Sequence, residues 1–166
     1  MEDKFAYDRS DSYDTTPDEL IQNTIERVSS YLKNNFPDHL SFGNGSFTIQ
    51  RGSSQIMIIV RPFTDDDTCV ECLANVVSGA KISTELMRFL LRKNAELHFG
   101  SFSLLFDDTI AFSHTVNGKN LDENELNTAV VSVAIISDYY DDIIVEMAGG
   151  KRASDTEHFS PEDHYF

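Results

Sequence analysis

The sequence predicts an α+β fold of two layers, an antiparallel sheet covered by helices. Two observations carry this. Apolar residues recur at helical spacing in three segments and at strand spacing in five others, in the order helix, three strands, helix, two strands, helix. Three helices with one apolar stripe each cannot bury it alone, and a five-stranded sheet has an apolar face to cover, so the layers satisfy each other.

The elements follow in order. Residues 1–15 are rich in Asp and Ser without an apolar period, and are read as a disordered acidic tail. Thr16-Pro17-Asp18-Glu19 has the form of a capping box, with proline at the first helical position. Thr16 would accept from the Glu19 amide. Leu20, Ile21, Ile25, Val28, Tyr31, Leu32 and Phe36 then give one stripe, and Pro37 stops the helix.

Phe47, Ile49 and Arg51 alternate with polar neighbours as in a half-buried strand, and Gly52-Ser53 suits a hairpin turn. Gln55 to Val60 is nearly all apolar and Pro62 closes it; Thr68 to Val77 reads as the third strand. The second helix starts at Ser83 or Thr84, with Leu86, Met87, Leu90, Leu91 and Leu97 on its apolar side. Phe99 to Phe106 and Thr109 to Val116 are strands joined at Asp107-Asp108. Asp122 and Glu125 form a capping box for the last helix, Leu121 and Leu126 its hydrophobic staple, and Gly149-Gly150 its stop. One domain therefore spans residues 16–150, and Lys151 to Phe166 is read as a flexible tail.

Several strings in this order resemble YbjN-domain proteins, particularly the form found in photosynthetic bacteria. They are Ser83-Thr84-Glu85-Leu86-Met87-Arg88-Phe89-Leu90-Leu91-Arg92-Lys93-Asn94-Ala95-Glu96-Leu97, the following Phe99-Gly100-Ser101-Phe102, and Ser137-Asp138-Tyr139-Tyr140-Asp141-Asp142 before Ala148-Gly149-Gly150. The resemblance covers about Thr16 to Gly150. It implies a type III secretion chaperone-like fold, peptide or protein binding, a tendency to dimerise, and no catalytic residues.

Composition narrows the function classes. With 13 basic and 28 acidic residues the net charge is −15. A field of that sign repels nucleic-acid phosphates and anionic membrane surfaces, so neither is expected as a partner. No run approaches the roughly 18 apolar residues of a membrane span. The start of the chain lacks the pattern of a signal peptide, and the expected location is the cytoplasm.

No nucleophile elbow, phosphate loop or dinucleotide fingerprint occurs, so no catalytic residue is assigned and no cofactor is expected. Cys69 and Cys72 match C-x-x-C, but positions three apart on a strand point to opposite faces, which argues against a disulfide or a shared metal. The five histidines, His39, His98, His114, His158 and His164, have no H-x-x-x-H pair, and no metal site is assigned.

Apolar excess is the remaining signal. The second and third strands carry apolar side chains on both faces. One face should meet the helices; the other would offer Met57, Ile59, Leu73 and Val77, with Met87 and Leu91 bordering the same surface. This set is the candidate contact for a protein or peptide client, or the seam of a homodimer. Asp138, Asp141 and Asp142 are a secondary candidate contact. The expectation is a non-enzymatic binding module, chaperone-like or adaptor. The alternative is a regulatory module sensing a small ligand or cation through those three carboxylates.

Overall fold

A computed structural model describes residues 15–52 and 54–155. The acidic segment 1–14, Ser53 of the expected turn, and residues 156–166 with His158 and His164 lie outside the described residues.

Helix α1 (Asp18–Asn35) opens the fold. Strands β1 (Leu40–Ser41), β2 (Ser46–Arg51), β3 (Ser54–Pro62) and β4 (Thr68–Ser78) follow. Then come α2 (Thr84–Glu96), β5 (Ser101–Leu104), β6 (Ile110–Asn117), α3 (Glu123–Ala148) and β7 (Lys151–Arg152), and a short 3₁₀ turn over Ala153–Asp155. The predicted α+β class and its order of helix, three strands, helix, two strands, helix are present. The described sheet has seven strands rather than five, because β1 and β7 add two short ones. Its order is β1-β2-β3-β4-β6-β5, antiparallel throughout, with β7 added to the end of β4.

Strand alternation sorts the sheet into two faces. Phe47 and Ile49 of β2, Ile56, Ile58 and Val60 of β3, Val70, Cys72 and Ala74 of β4, and Ile110 and Phe112 of β6 are buried on the helix face. They meet Val28 and Leu32 of α1 and Ala129, Val130, Val133 and Ile144 of α3 in one core. α3 lies along β4 and β6, with α1 against β3. Met57, Ile59 and Leu73 point the other way, are partly exposed, and stand outside that core.

A bulge interrupts the alternation near the end of β4. Asn75 opposes Ala111 and Val77 opposes Ile110, leaving Val76 as the extra residue. That single insertion turns Val77 inward, where it is completely buried. The expectation that Val77 joins the outer contact set is therefore corrected: a one-residue shift moves a side chain to the other face.

Two ends also differ from expectation. Thr16 does not cap α1; Pro17 holds the cap position without a side-chain bond. The Thr16 hydroxyl instead donates to the Thr64 carbonyl at 2.6 Å and accepts from the Phe63 amide at 3.1 Å, tying the start of the chain to the β3–β4 loop. Lys151–Asp155, expected to belong to a flexible tail, are ordered. Lys151 and Arg152 pair with Ser78 and Val77, and Arg152 bonds Asp142 of α3 at 2.7 Å and Asp155 at 3.0 Å. The capping box predicted for α3 forms between Asp122 and Glu125, and α2 starts where expected, with Ser83 as its cap accepting from the Leu86 amide.

A polar joint connects α1 to the turn between β6 and α3. The Thr24 and Thr68 hydroxyls share a buried hydrogen bond of 2.8 Å. The Arg27 guanidinium donates to the carbonyls of Leu121 and Gly118, and the Tyr31 hydroxyl donates to Asn127 at 3.0 Å. This joint explains Gly118. A Cβ there would stand 1.9 Å from the Thr68 hydroxyl, which is itself held by Thr24. Gly118→Ala is expected to cost about 1–3 kcal/mol of overpacking strain, read as a lower midpoint in urea unfolding.

Candidate functional site

An exposed apolar groove lies where α2 meets the sheet edge. α2 packs against β5 and touches α3, so it covers the side of the sheet rather than either face. Phe102 of β5 is the pivot. Its ring packs edge-on against Phe112 and Tyr140, and Tyr140 meets Phe89 of α2 in the same way. Asn94 supplies a bidentate backbone contact: its carboxamide oxygen accepts from the Phe102 amide at 2.7 Å and its nitrogen donates to the Phe102 carbonyl at 3.1 Å.

β5 is an edge strand, and one edge residue is thus satisfied by a side chain instead of another strand. Replacing Asn94 by Ala leaves both Phe102 groups unpartnered. At about 1 kcal/mol for each bond, plus desolvation, the expected loss is about 1–3 kcal/mol, and Phe102 amide hydrogen exchange should accelerate.

Between α2 and β5 runs a groove of about 180 Å³, lined mainly by Ile82, Leu86, Met87, Leu90, Leu91 and Leu104. Leu86 is fully buried in its floor, whereas Leu91 is 68% exposed, Leu104 46% and Met87 45%. A methionine on such a rim can adapt to varied surfaces. The sequence expectation for Met87 and Leu91 is met in their exposure but not in their surroundings. They do not border Met57, Ile59 and Leu73, because β6 and β5 stand between β4 and α2.

The outer-face strip is a separate and smaller feature. Met57 and Leu73 are direct cross-strand partners, and Ile59 lies opposite Glu71. Arg61 and Glu71 form a 2.9 Å ion pair on that side. Sequence reasoning missed Leu104, Ile82 and the exposed Phe106 as parts of or neighbours to the apolar edge. Phe106 at full exposure in a strand-end turn carries a signal in hindsight, since an aromatic beside Asp107-Asp108 has no strand partner to cover it.

Two of the three acidic candidates serve structure. Asp142 is the ion-pair partner of Arg152. Asp141 is largely buried, and its carboxylate accepts from the Asp142 amide at 2.5 Å. Among the described residues, no group of three His, Cys, Asp or Glu side chains is arranged to hold a metal. The sensing alternative built on Asp138, Asp141 and Asp142 finds no support in this geometry.

Burial raises the Asp141 pKa above the usual carboxylate range, and the charges of Asp142 and Asp138 add to it, against the Asp142 amide bond and Arg152, which lower it. A raised folded-state pKa means the ionised group opposes folding, with stability present at low pH and lost as pH rises through the folded value. Asp141→Asn is therefore expected to raise the melting temperature at pH 7, a gain that disappears below about pH 4.

Burial also separates the two cysteines. Cys72 lies in the core, its thiol pushed up to about 12, whereas Cys69 is partly exposed on the opposite face. The larger cleft between α1 and the start of α3, about 530 Å³, contains Arg27 and Tyr31, both already committed to the structural joint.

Known proteins resemble this arrangement. The family model described as "T3SS (YopN, CesT) and YbjN peptide-binding chaperone 1", TY-Chap1, matches residues 18–156. The chain belongs to the TY-Chap1 family. It is a peptide-binding, chaperone-like module, as the resemblance to YbjN proteins implied.

Solved structures agree on the TY-Chap1 fold. A chain from the crystal structure of the ExsC-ExsE complex aligns with TM-score 0.60 at 10% identity, covering 75% of this chain and 96% of that one. A chain from the HopA1-SchA chaperone-effector complex aligns with TM-score 0.56 at 6% identity, covering 74% and 94%. No curated protein matches the sequence. Among the described residues, no helix is long and apolar enough to cross a membrane.

Proposed function

We propose that this TY-Chap1 protein holds a segment of a protein client in the groove between α2 and β5, with no chemical step. One observation carries the reading. Met87, Leu91 and Leu104 are 45%, 68% and 46% exposed around a preformed apolar groove. Side-chain anchoring fits this site better than strand addition at Phe102, since Asn94 already occupies the backbone groups a new strand would need.

The outer strip of Met57, Ile59 and Leu73 is a second contact, for a further stretch of client or a second copy of the chain in a homodimer. The net charge of −15 supports a partner that is neither nucleic acid nor anionic membrane, and the working place proposed with it is the cytoplasm.

The test is a photocrosslinking amino acid at Leu91 in the full chain, expressed in its native cell. A crosslinked polypeptide, recovered at least about tenfold less with Met87→Asp, is expected, because burying one unpaired carboxylate exceeds the 1.4 kcal/mol that a tenfold loss represents. Met87→Asp should move the melting temperature by only a few degrees, since the side chain is nearly half exposed. Crosslinks unchanged by Met87→Asp would overturn the groove assignment. Sedimentation of the wild type and Leu73→Asp tests the homodimer separately.

A further inference from the structure

The two walls of the groove are joined by four residues, 97–100, between the end of α2 and the start of β5. This joint fits tightly against β6. Gly100 takes a left-handed backbone, φ 78°, and a Cβ there would stand 2.6 Å from the Ser113 carbonyl. Beside it the half-exposed Phe99 ring stacks on the His114 imidazole of β6, with centroids 5.5 Å apart and planes inclined by 26°. The Asn94 bonds to Phe102 begin two residues past the joint's last aromatic ring plus Gly100, at the second residue of β5. The Phe99–His114 stack thus helps to seat the connection on which the spacing of the walls depends.

The imidazole is poorly provided for as a cation. His114 is the cross-strand partner of Cys72, so its ring lies on the helix face of the sheet. Its Nδ1 is buried and has no hydrogen-bond partner among the described residues. The neutral ring can leave an acceptor lone pair there, whereas the protonated ring must place a charged N–H donor there, which costs more. Burial accordingly holds the His114 pKa below the usual histidine value.

The groups around the ring do not offset that cost. The Cys72 thiol, pushed up to about 12, stays neutral. β5 has no titratable side chain, and α3 has none from Leu126 to Ser137; Glu123 and Glu125, at its start, are exposed. At the end of α2, Lys93 and Glu96 pair with each other at 2.6 Å, and His98 in the joint is exposed. Glu71 of β4 faces the other side of the sheet, paired with Arg61. The face of Phe99 attracts an imidazolium, but at a half-exposed stack this recovers less than an unanswered charged donor loses. With the folded value below the unfolded one, the neutral ring's contribution to stability is present above the unfolded value. It is lost as pH falls toward and below the folded value.

We infer that His114 is an acid-sensitive latch on the groove: neutral, it seats Phe99 and holds α2 against β5; protonated, it leaves the stack to reach water and frees residues 97–100, so that α2 loosens on β5. Release of a client in acid is the consequence. That consequence rests on the groove assignment above, and the latch itself does not.

The test is an NMR titration of the full chain without client, reading the His114 ring and the methionine methyls. Met87 reports the groove and Met57 the outer sheet face. His114 is expected to titrate below the ordinary histidine value, and the Met87 signal to move with the same midpoint while Met57 stays. His114→Gln should abolish that movement; His98→Gln and Asp141→Asn should keep it. If His114→Gln does not fold, Phe99→Ala decides: with the stack gone, the His114 midpoint should rise toward the ordinary value and Met87 should no longer move with it. A Met87 signal that stays still while wild-type His114 titrates overturns the inference. So does a movement that persists in His114→Gln, a His114 midpoint at or above the ordinary value, a midpoint unchanged by Phe99→Ala, or an equal movement of Met57, the mark of general unfolding. No client enters the titration, so its failure leaves the Leu91 crosslink standing, and a missing crosslink leaves the latch standing.

Discussion

The paired bonds between Asn94 and the backbone of Phe102 are the constraint on which the groove depends. They hold a helix against an edge strand where no further strand exists. A carboxamide offers one acceptor and one donor in a plane, as a neighbouring strand would, so the edge at Phe102 is closed without extending the sheet. The Phe102, Tyr140 and Phe89 rings then fix the separation of α2 from β5 and α3. With the inner side of α2 committed to that contact, its Met87 and Leu91 have no protein left to cover them. The site is a consequence of how the edge is closed.

The high negative charge is organised rather than uniform. Several carboxylates tie loops together. Asp67 accepts from the amides of Thr68 and Lys119 and from the Asn117 side chain, and Asp66 pairs with Lys119 at 2.9 Å. Asp142 and Asp155 hold Arg152 and with it the short strand β7. The acidic runs that look like cation sites in a linear reading are therefore partly used up as hinge pins. An acidic partner meets repulsion over much of this surface.

The bulge at Val76 shows how local backbone geometry redistributes a surface. Strict alternation would place Leu73, Asn75 and Val77 on one face. The extra residue sends Val77 into the core and turns the end of β4 toward β7. The outer apolar strip is shortened to Met57, Ile59 and Leu73, and the chain beyond α3 is received next to the entrance of α2. The same irregularity that removes one residue from the outer face thus lies where β7 joins the end of β4.

The elements themselves were legible in the linear sequence because their signals are local. The Asp122–Glu125 capping box, the start of α2 at Ser83 or Thr84, the turn at Asp107-Asp108 and the apolar run from Ile56 to Val60 each depend on residues a few positions apart. The opposite faces of Cys69 and Cys72 followed from strand period alone. What only the tertiary structure decided depends on long-range partners. Thr16 caps no helix because the Thr64 carbonyl and the Phe63 amide are closer to hand. Val77 is buried because of a register shift no spacing announces. Asp142 meets Arg152, and Asn94 meets Phe102, across chain reversals. The groove exists only where α2 and β5 come together, so residues such as Leu104 and Leu91 form one surface through packing, not through any pattern along the chain.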